Sequence, residues 1–239
     1  MQLLELTLDT PEQNLALDEA LLEQAEESAS PGEVLRIWES PQPLVVIGRS
    51  SKINDEVRRE VCQARQISVL RRSSGGASIV AGPGCLMYAV VLSIRQRPQL
   101  AQLDAAHRTV LEPLAHSLAK QIPGVAWEGT SDLALAGRKF SGNSLRCKRS
   151  HLLYHGTLLY DFPLTLVGEL LAFAPRQPAY RAGREHAAFV GNLPLSHAEL
   201  RQAVINAFAP TAPLVDWPRE LTARLALEKY ADPSWNARL

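Results

Sequence analysis

Cysteine is scarce in this chain: Cys62, Cys85 and Cys147 are the three among 239 residues. Three scattered thiols do not make a zinc site. An odd number argues against a disulfide framework, which points to a reducing compartment. Neither sign of charge is in excess, since Lys plus Arg and Asp plus Glu both come to 25. That balance argues against a general nucleic-acid or membrane-surface protein, while leaving room for local basic patches. The longest strongly apolar run, Cys85 to Ile94, is far too short to cross a bilayer. The start, MQLLELTLDT, has no basic n-region and carries Glu5 and Asp9 early, which argues against a signal peptide. The expected location is the cytoplasm. No internal repeat or low-complexity tract occurs. Neither G-x-x-x-x-G-K-[ST] nor G-x-G-x-x-G is present, which excludes a Walker loop and a dinucleotide fingerprint.

The length suits one large domain or two small ones with a sizeable core. Residues 3–8 alternate apolar and polar as a strand does. Thr10-Pro11-Glu12-Gln13 then reads as a helix start: Thr10 can cap, Pro11 suits the first turn and Gln13 completes a capping box. This helix carries Leu15, Ala16, Ala20 and Leu22 near one face. Asp18, Glu19 and Glu23 are expected among its polar positions, and Ser30-Pro31-Gly32 is expected beyond its end. Strands are predicted over 34–38, 44–47, 67–72, 77–81, 85–93, 125–128, 132–136 and 151–160. The run over 85–93 has the composition of a buried central strand. Helices are predicted from Asn54 to about Arg65, from Gln102 to Lys120 with Pro113 inside, and over 164–173, 197–207 and 219–230. The stretch Ala209 to Pro218 is the nearest thing to a linker. Strand runs broken by outer helices give an α+β fold around mixed or antiparallel sheets.

Two clusters carry chemistry. The first is Arg71-Arg72-Ser73-Ser74-Gly75-Gly76-Ala77-Ser78, set between two apolar strands. Guanidinium forks bind phosphate or carboxylate, and adjacent glycines let backbone N–H groups approach a ligand. An anion cradle and an ordinary glycine-rich hairpin turn are both compatible with it. The second is Gly137-Arg138-Lys139-Phe140-Ser141-Gly142-Asn143-Ser144, followed by His155-Gly156-Thr157-Leu158-Leu159. Its lysine, flanked by small residues beyond a strand, could reach into a cleft and stabilise developing negative charge. A solvated turn is the alternative.

Taken together and in this order, the two clusters resemble the lipoate-protein ligase A family. The similarity extends to Asn14-Leu15-Ala16, Leu35-Arg36-Ile37-Trp38, Val46-Ile47-Gly48-Arg49, Val190-Gly191-Asn192-Leu193 and Lys229-Tyr230 with Trp235-Asn236. It covers nearly the whole chain and implies one catalytic domain over 1–239, of the α+β fold shared with biotin ligases and octanoyltransferases. The family's ligases activate lipoate with ATP and Mg2+ to lipoyl-AMP. They then pass the acyl group to a lysine of a lipoyl domain, as in 2-oxoacid dehydrogenase E2 or glycine cleavage H protein. The resemblance gives Lys139 the catalytic place against acyl carbonyl and α-phosphate. It gives nucleotide and phosphate binding to Arg72, Gly75, Gly76, Ala77, Ser78, Ile79 and Val80. Arg71, Ser74, Asp132 and His155 fall at lining or supporting positions. Residues 85–93 and Val45 to Ile47 are expected either to form part of an acyl tunnel or to be ordinary core.

The chain departs from the family in two respects. Where the ligase pattern has His-Asp and then Gly-Asn, it reads Ala81-Gly82 and Gly84-Cys85, which bears on the ATP step. The sequence also shows no counterpart of the C-terminal accessory domain. A separate accessory protein, activity without one, or a reaction without adenylation would each accommodate this. The superfamily's ATP-independent octanoyl and lipoyl transferases use a cysteine nucleophile. The two places where they carry it hold Gly124 and Leu152 here, which favours a ligase. Cys147, among Arg146, Lys148 and Arg149, has a setting that lowers a thiol pKa; a chance cysteine in a basic turn is the plainer reading. A biotin ligase would repeat the glycine-arginine pair at Gly48-Arg49-Ser50-Ser51, and only the first pair is present. The further alternatives are transfer from a carrier protein, a lipoyl domain or preformed lipoyl-AMP, and a non-catalytic binder of lipoyl domains or acyl ligands.

Overall fold

The computed structural model describes residues 1–28, 32–173, 175 and 177–239, so Ser30-Pro31 lies outside the described residues. Strand β1 (Gln2–Glu5) leads into helix α1 (Pro11–Glu27). Thr10 accepts from the Gln13 N–H while the Gln13 side chain accepts from the Thr10 N–H, so the capping box forms as its spacing predicts. The polar face expected of α1 needs correcting, because Asp18 and Glu19 are only 3% and 2% exposed. Both face charged partners contributed by distant segments.

Strands β2 (Val34–Glu39) and β3 (Leu44–Ile47) follow. The single helix expected from Asn54 to Arg65 is two short ones, α2 (Ile53–Glu56) and α3 (Arg59–Ala64). Between them Val57 is extended and bridges Leu171, and the Arg58 N–H donates to the Leu170 carbonyl. A β-branched residue with a strand-like partner wins there over helix continuation. Next come β4 (Ser68–Arg71), β5 (Ile79–Ala81), the wholly buried β6 (Cys85–Ser93) and α4 (Leu103–Ala119). Helix α4 continues through Pro113.

Strands β7 (Val125–Glu128), β8 (Asp132–Leu135), β9 (Arg138–Cys147) and β10 (His151–Leu159) are consecutive antiparallel neighbours. The ten residues of β9 escape the sequence prediction because R-K-F-S-G-N-S-L-R-C shows no apolar alternation. The turn is confined to Ala136 and Gly137, both at positive φ (50° and 71°). Helices α5 (Thr165–Leu170), α6 (His186–Phe189) and α7 (His197–Phe208) precede β11 (Ala212–Pro213). The stretch suggested as a linker therefore contributes a strand. Helix α8 (Arg219–Leu225) runs on as a π-turn through Ala226–Tyr230, and α9 (Pro233–Asn236) follows.

The large sheet has the order β11-β1-β2-β6-β10-β9-β8-β7, and a smaller one has β4-β3-β5. Strand β1 pairs in parallel with β2 and β11, and β3 with β4; the other pairs are antiparallel, so the α+β expectation holds. Alternate residues of β6 and β10 serve opposite faces. Ala89, Val91 and Leu153 pack under Leu17, Leu21 and Leu22 of α1. Tyr88, Val90, Leu92, Leu152 and Tyr154 enter the larger core with Val110 and Leu114 of α4 and Val204 of α7.

Candidate active site

The segment between β4 and β5 is built from within. Arg71 is fully buried, and its guanidinium donates to the carbonyls of Gly48, Arg49, Ser51, Trp235, Asn236 and Arg238 at 2.5–3.2 Å. It fastens the C-terminal segment to the loop after β3. Arg72 donates to the Ser74 hydroxyl at 3.0 Å and to the carbonyls of Val46, Gly75 and Ala77. Burial draws its pKa down to about 10, with Glu56 opposing. Both guanidiniums thus brace backbone carbonyls, and Arg72, unlike Arg71, also lines the larger cavity of the site. Gly76 sits at φ 83°, and a Cβ there would lie 2.9 Å from the Arg72 Nη2. Ser78 has its N–H and hydroxyl on Glu56 Oε2 at 2.6 and 2.7 Å.

Lys139 follows the tight turn into β9, where the register shifts between the Ser141↔Leu133 and Lys139↔Ala134 pairs. Bulges of this kind re-aim side chains near functional sites. Its ammonium is 2.6 Å from Asp132 Oδ1, and Asp132 Oδ2 accepts from the Tyr180 hydroxyl at 2.8 Å. Burial and the Asp132 charge push the Tyr180 phenol well up, so it stays a donor. Gly142 makes room for the lysine, since a Cβ there would meet its Cε and Nζ at 2.9 Å.

A second polar chain crosses beneath. His155 Nε2 lies 2.6 Å from the Ser74 hydroxyl and Nδ1 lies 3.4 Å from Asp18 Oδ2. Asp18 Oδ1 pairs at 2.6 Å with Arg36, which is fully buried. Burial alone would raise the Asp18 pKa; Arg36 and His155 outweigh it and hold the carboxyl below its ordinary range.

These groups surround two adjoining lobes, of about 480 and about 130 Å³. Lys139, Gly142, Thr157 and the run Ala77-Ser78-Ile79 line both. The larger lobe sets apolar Leu15, Val46 and Met87 beside Asp18, Asp132 and His155. The smaller has Val80, Phe140, Leu159, Phe189 and Val190 beside Glu56, Arg181 and His186. Of the strands offered as an acyl tunnel, only Val46 and Met87 reach a lobe. Ala81, Gly82 and Cys85, where the family pattern has His, Asp and Asn, line neither; Ala81 and Cys85 are wholly buried.

No cysteine lines either lobe. Burial and Glu39 push the Cys85 thiol up to about 12. Cys147 is also raised, by partial burial. Its neighbours Arg146 and Lys148 are engaged by Glu19 and Glu23, so the activating basic setting does not materialise. Sequence reading missed Asp18, Arg36, Glu56, Tyr180 and Arg181. A signal existed for two of them: Asp18 and Arg36 interrupt apolar runs at core-facing positions.

The sequence model of the lipoyl protein ligase A/B catalytic domain matches residues 10–209. The chain belongs to that family. It is 23% identical to octanoyltransferase LipM of Halalkalibacterium halodurans over 95% of both chains. To the probable lipoate-protein ligase A of Mycoplasma pneumoniae it is 27% identical over 66% of its length, spanning 45% of that protein. In fold it is similar to a bi-partite lipoate protein ligase from Thermoplasma acidophilum, described with its E2 lipoyl domain. The TM-score is 0.78 at 22% identity, over 99% of this chain and 96% of that one. A lipoate-protein ligase A bound with ATP gives a TM-score of 0.79 at 21% identity, over 99% of both. No helix among the described residues is long and apolar enough to cross a membrane.

Proposed function

We propose that this family member attaches a lipoyl or octanoyl group to a lysine of lipoyl-domain proteins, after activating the free acid with Mg-ATP. The observation that carries the reading is the position of Lys139, where an apolar-lined larger lobe meets a smaller one beyond it. An acyl chain in the first and a nucleotide in the second bring carboxylate and α-phosphate to the same ammonium. In the first step a carboxylate oxygen bonds to the α-phosphorus and pyrophosphate leaves. In the second the acceptor amine bonds to the carbonyl carbon, loses a proton, and AMP leaves. A fixed cation stabilises charge on both transition states without forming a bond. Asp132, held by Tyr180, keeps that cation aimed. The run Ala77-Ser78-Ile79 lines both lobes, with the Ser78 N–H and hydroxyl held by Glu56. Arg72 braces this run through the Gly75 and Ala77 carbonyls and itself lines the larger lobe. Magnesium would arrive on the ATP phosphates, its usual oxygen ligands.

One observation favours a second reading, transfer from an octanoyl carrier protein without ATP: the chain matches octanoyltransferase LipM over 95% of both proteins. The absence of a thiol from either lobe supports the ligase. Incubation with lipoate, Mg-ATP and a lipoyl domain should add one acyl mass to the domain lysine. Transfer from octanoyl carrier protein with no ATP-dependent reaction overturns the ligase reading. Stabilisation by ligand without turnover from any donor indicates a binding protein. E2 subunits and glycine cleavage H protein are the acceptors to try first. An accessory subunit is indicated if only preformed lipoyl-AMP is used. A cytoplasmic location and one catalytic domain over 1–239 fit this reading. The large sheet takes strands from Gln2 to Pro213, and α8 packs back on α1.

A further inference from the structure

The stretch Arg71-Arg72-Ser73-Ser74 turns alternate residues toward two different neighbours. Arg72 lines the larger lobe, and the Ser74 hydroxyl lies 2.6 Å from Nε2 of the lobe-lining His155. Arg71 and Ser73 instead meet the segment from Lys229 to Arg238. The Arg71 N–H donates to Asn236 Oδ1 at 2.8 Å, and its Nε to the Trp235 carbonyl at 3.2 Å. The Trp235 indole N–H returns a bond to the Arg71 carbonyl at 2.8 Å. The Ser73 side chain bonds the buried Tyr230 hydroxyl, which donates to Glu19 Oε2 at 2.9 Å. Successive side chains of an extended chain point to opposite sides. Fixing residues 71 and 73 on one side therefore aims 72 and 74 on the other.

The segment is itself held in place. Asn236 Nδ2 donates to the Tyr230 carbonyl at 2.7 Å. The Trp235 ring carries the Lys229 ammonium at 4.2 Å and the Arg238 guanidinium at 3.7 Å. Lys229 also closes on both oxygens of Glu19, the chain neighbour of the His155 partner Asp18. The π-turn Ala226–Tyr230 brings consecutive Lys229 and Tyr230 onto that one carboxylate, and such turns occur mostly at functional sites. Neither Tyr230 nor Trp235 lines a lobe, so any effect on the reaction passes through other residues.

We infer that Trp235 and Tyr230 are positioning residues of the acyl-transfer site, acting through Arg71 and Ser73 to aim Arg72 and the Ser74–His155 pair. This rests on the reading above for its activity assay alone.

The test uses the full chain as wild type, Trp235→Phe, Ser74→Ala and their double variant, each kept where urea titration shows it folded. Phenylalanine keeps an aromatic face for the two cations and removes the indole donor. Ser117→Ala is the control, since Ser117 bonds the Ala203 carbonyl at 2.7 Å between α4 and α7 and lines neither lobe. Trp235→Phe is expected to lower kcat for transfer about 10- to 100-fold, with KM for the lipoyl domain unchanged. The double variant should be no slower than the slower single one. The His155 imidazole resonance, assigned with His155→Gln, should move in Trp235→Phe and stay in place in Ser117→Ala. A kcat equal to wild type, an unmoved resonance or multiplied losses in the double variant overturns the inference. Equal loss of kcat in Ser117→Ala reduces the effect to general loosening and also overturns it. If Trp235→Phe does not fold, Tyr230→Phe, which removes only the hydroxyl shared by Ser73 and Glu19, is judged by the same kcat and resonance. A wild-type protein that uses no acyl donor defeats the transferase reading, and the His155 resonance then decides the inference alone.

Discussion

Replacing Gly142 with alanine would put a methyl group 2.9 Å from both Cε and Nζ of Lys139. Carbon atoms do not settle that close, and the softer partner is the lysine end, so the ammonium swings aside while β9 holds. The methyl would be 3.9 Å from Asp132 Oδ1, so the carboxylate stays and the 2.6 Å ion pair opens. Misplacing a catalytic group by about 1 Å lowers rate on the order of 100-fold. Removing it, as in Lys139→Ala, lowers rate about 100- to 1000-fold. Gly142 has no positive φ and lies in a strand, so alanine should change fold stability by less than about 1 kcal/mol. The assay is acyl transfer to a lipoyl domain, followed by mass, for wild type, both single variants and the double variant. If Gly142 acts only through the lysine, the double variant is as slow as Lys139→Ala alone, within about 0.5 kcal/mol. Multiplied losses in the double variant, or a fully active Gly142→Ala, refute this account of how Lys139 is aimed.

Other expectations follow from the same geometry. Asp18→Ala leaves the Arg36 guanidinium buried without its counter-charge and should lower unfolding free energy by about 3–5 kcal/mol in urea titrations. The Asp18 carboxyl lies below its ordinary 3.8, so the unfolded chain binds that proton more tightly. Its stabilisation is therefore present above pH 3.8 and lost as the pH falls through the folded value. Asp18→Asn should flatten this acid limb; an unchanged limb counts against the pair. A Cβ at Gly156 would lie 1.7 Å from Asn143 Oδ1, which accepts from the Tyr88 hydroxyl at 2.6 Å. Gly156→Ala should thus cost at least about 2 kcal/mol and lower Tm by about 4–8 °C in a thermal melt. Cys147→Ser should leave transfer rates unchanged, because Cys147 lines neither lobe; a dead variant would reinstate a thiol mechanism.

By itself the sequence determined whatever depends on neighbours along the chain. The α1 capping box, the buried run of β6 and the helical spacing of α4 follow from periods of 3.6 and 2 and from local hydrogen bonding. The two polar clusters were legible for the same reason, as contiguous motifs. Strand β9 was hidden because its stability comes from β8 and β10 on either side, not from an apolar alternation of its own. Only tertiary structure decided what the charges do. Arg71 looks like a ligand fork until Trp235, 164 residues away, supplies a carbonyl for it. Asp18 looks like a solvated helix residue until Arg36 and His155 enclose it. A buried charge is settled by the partner it meets, and that partner is brought by the fold from elsewhere in the chain.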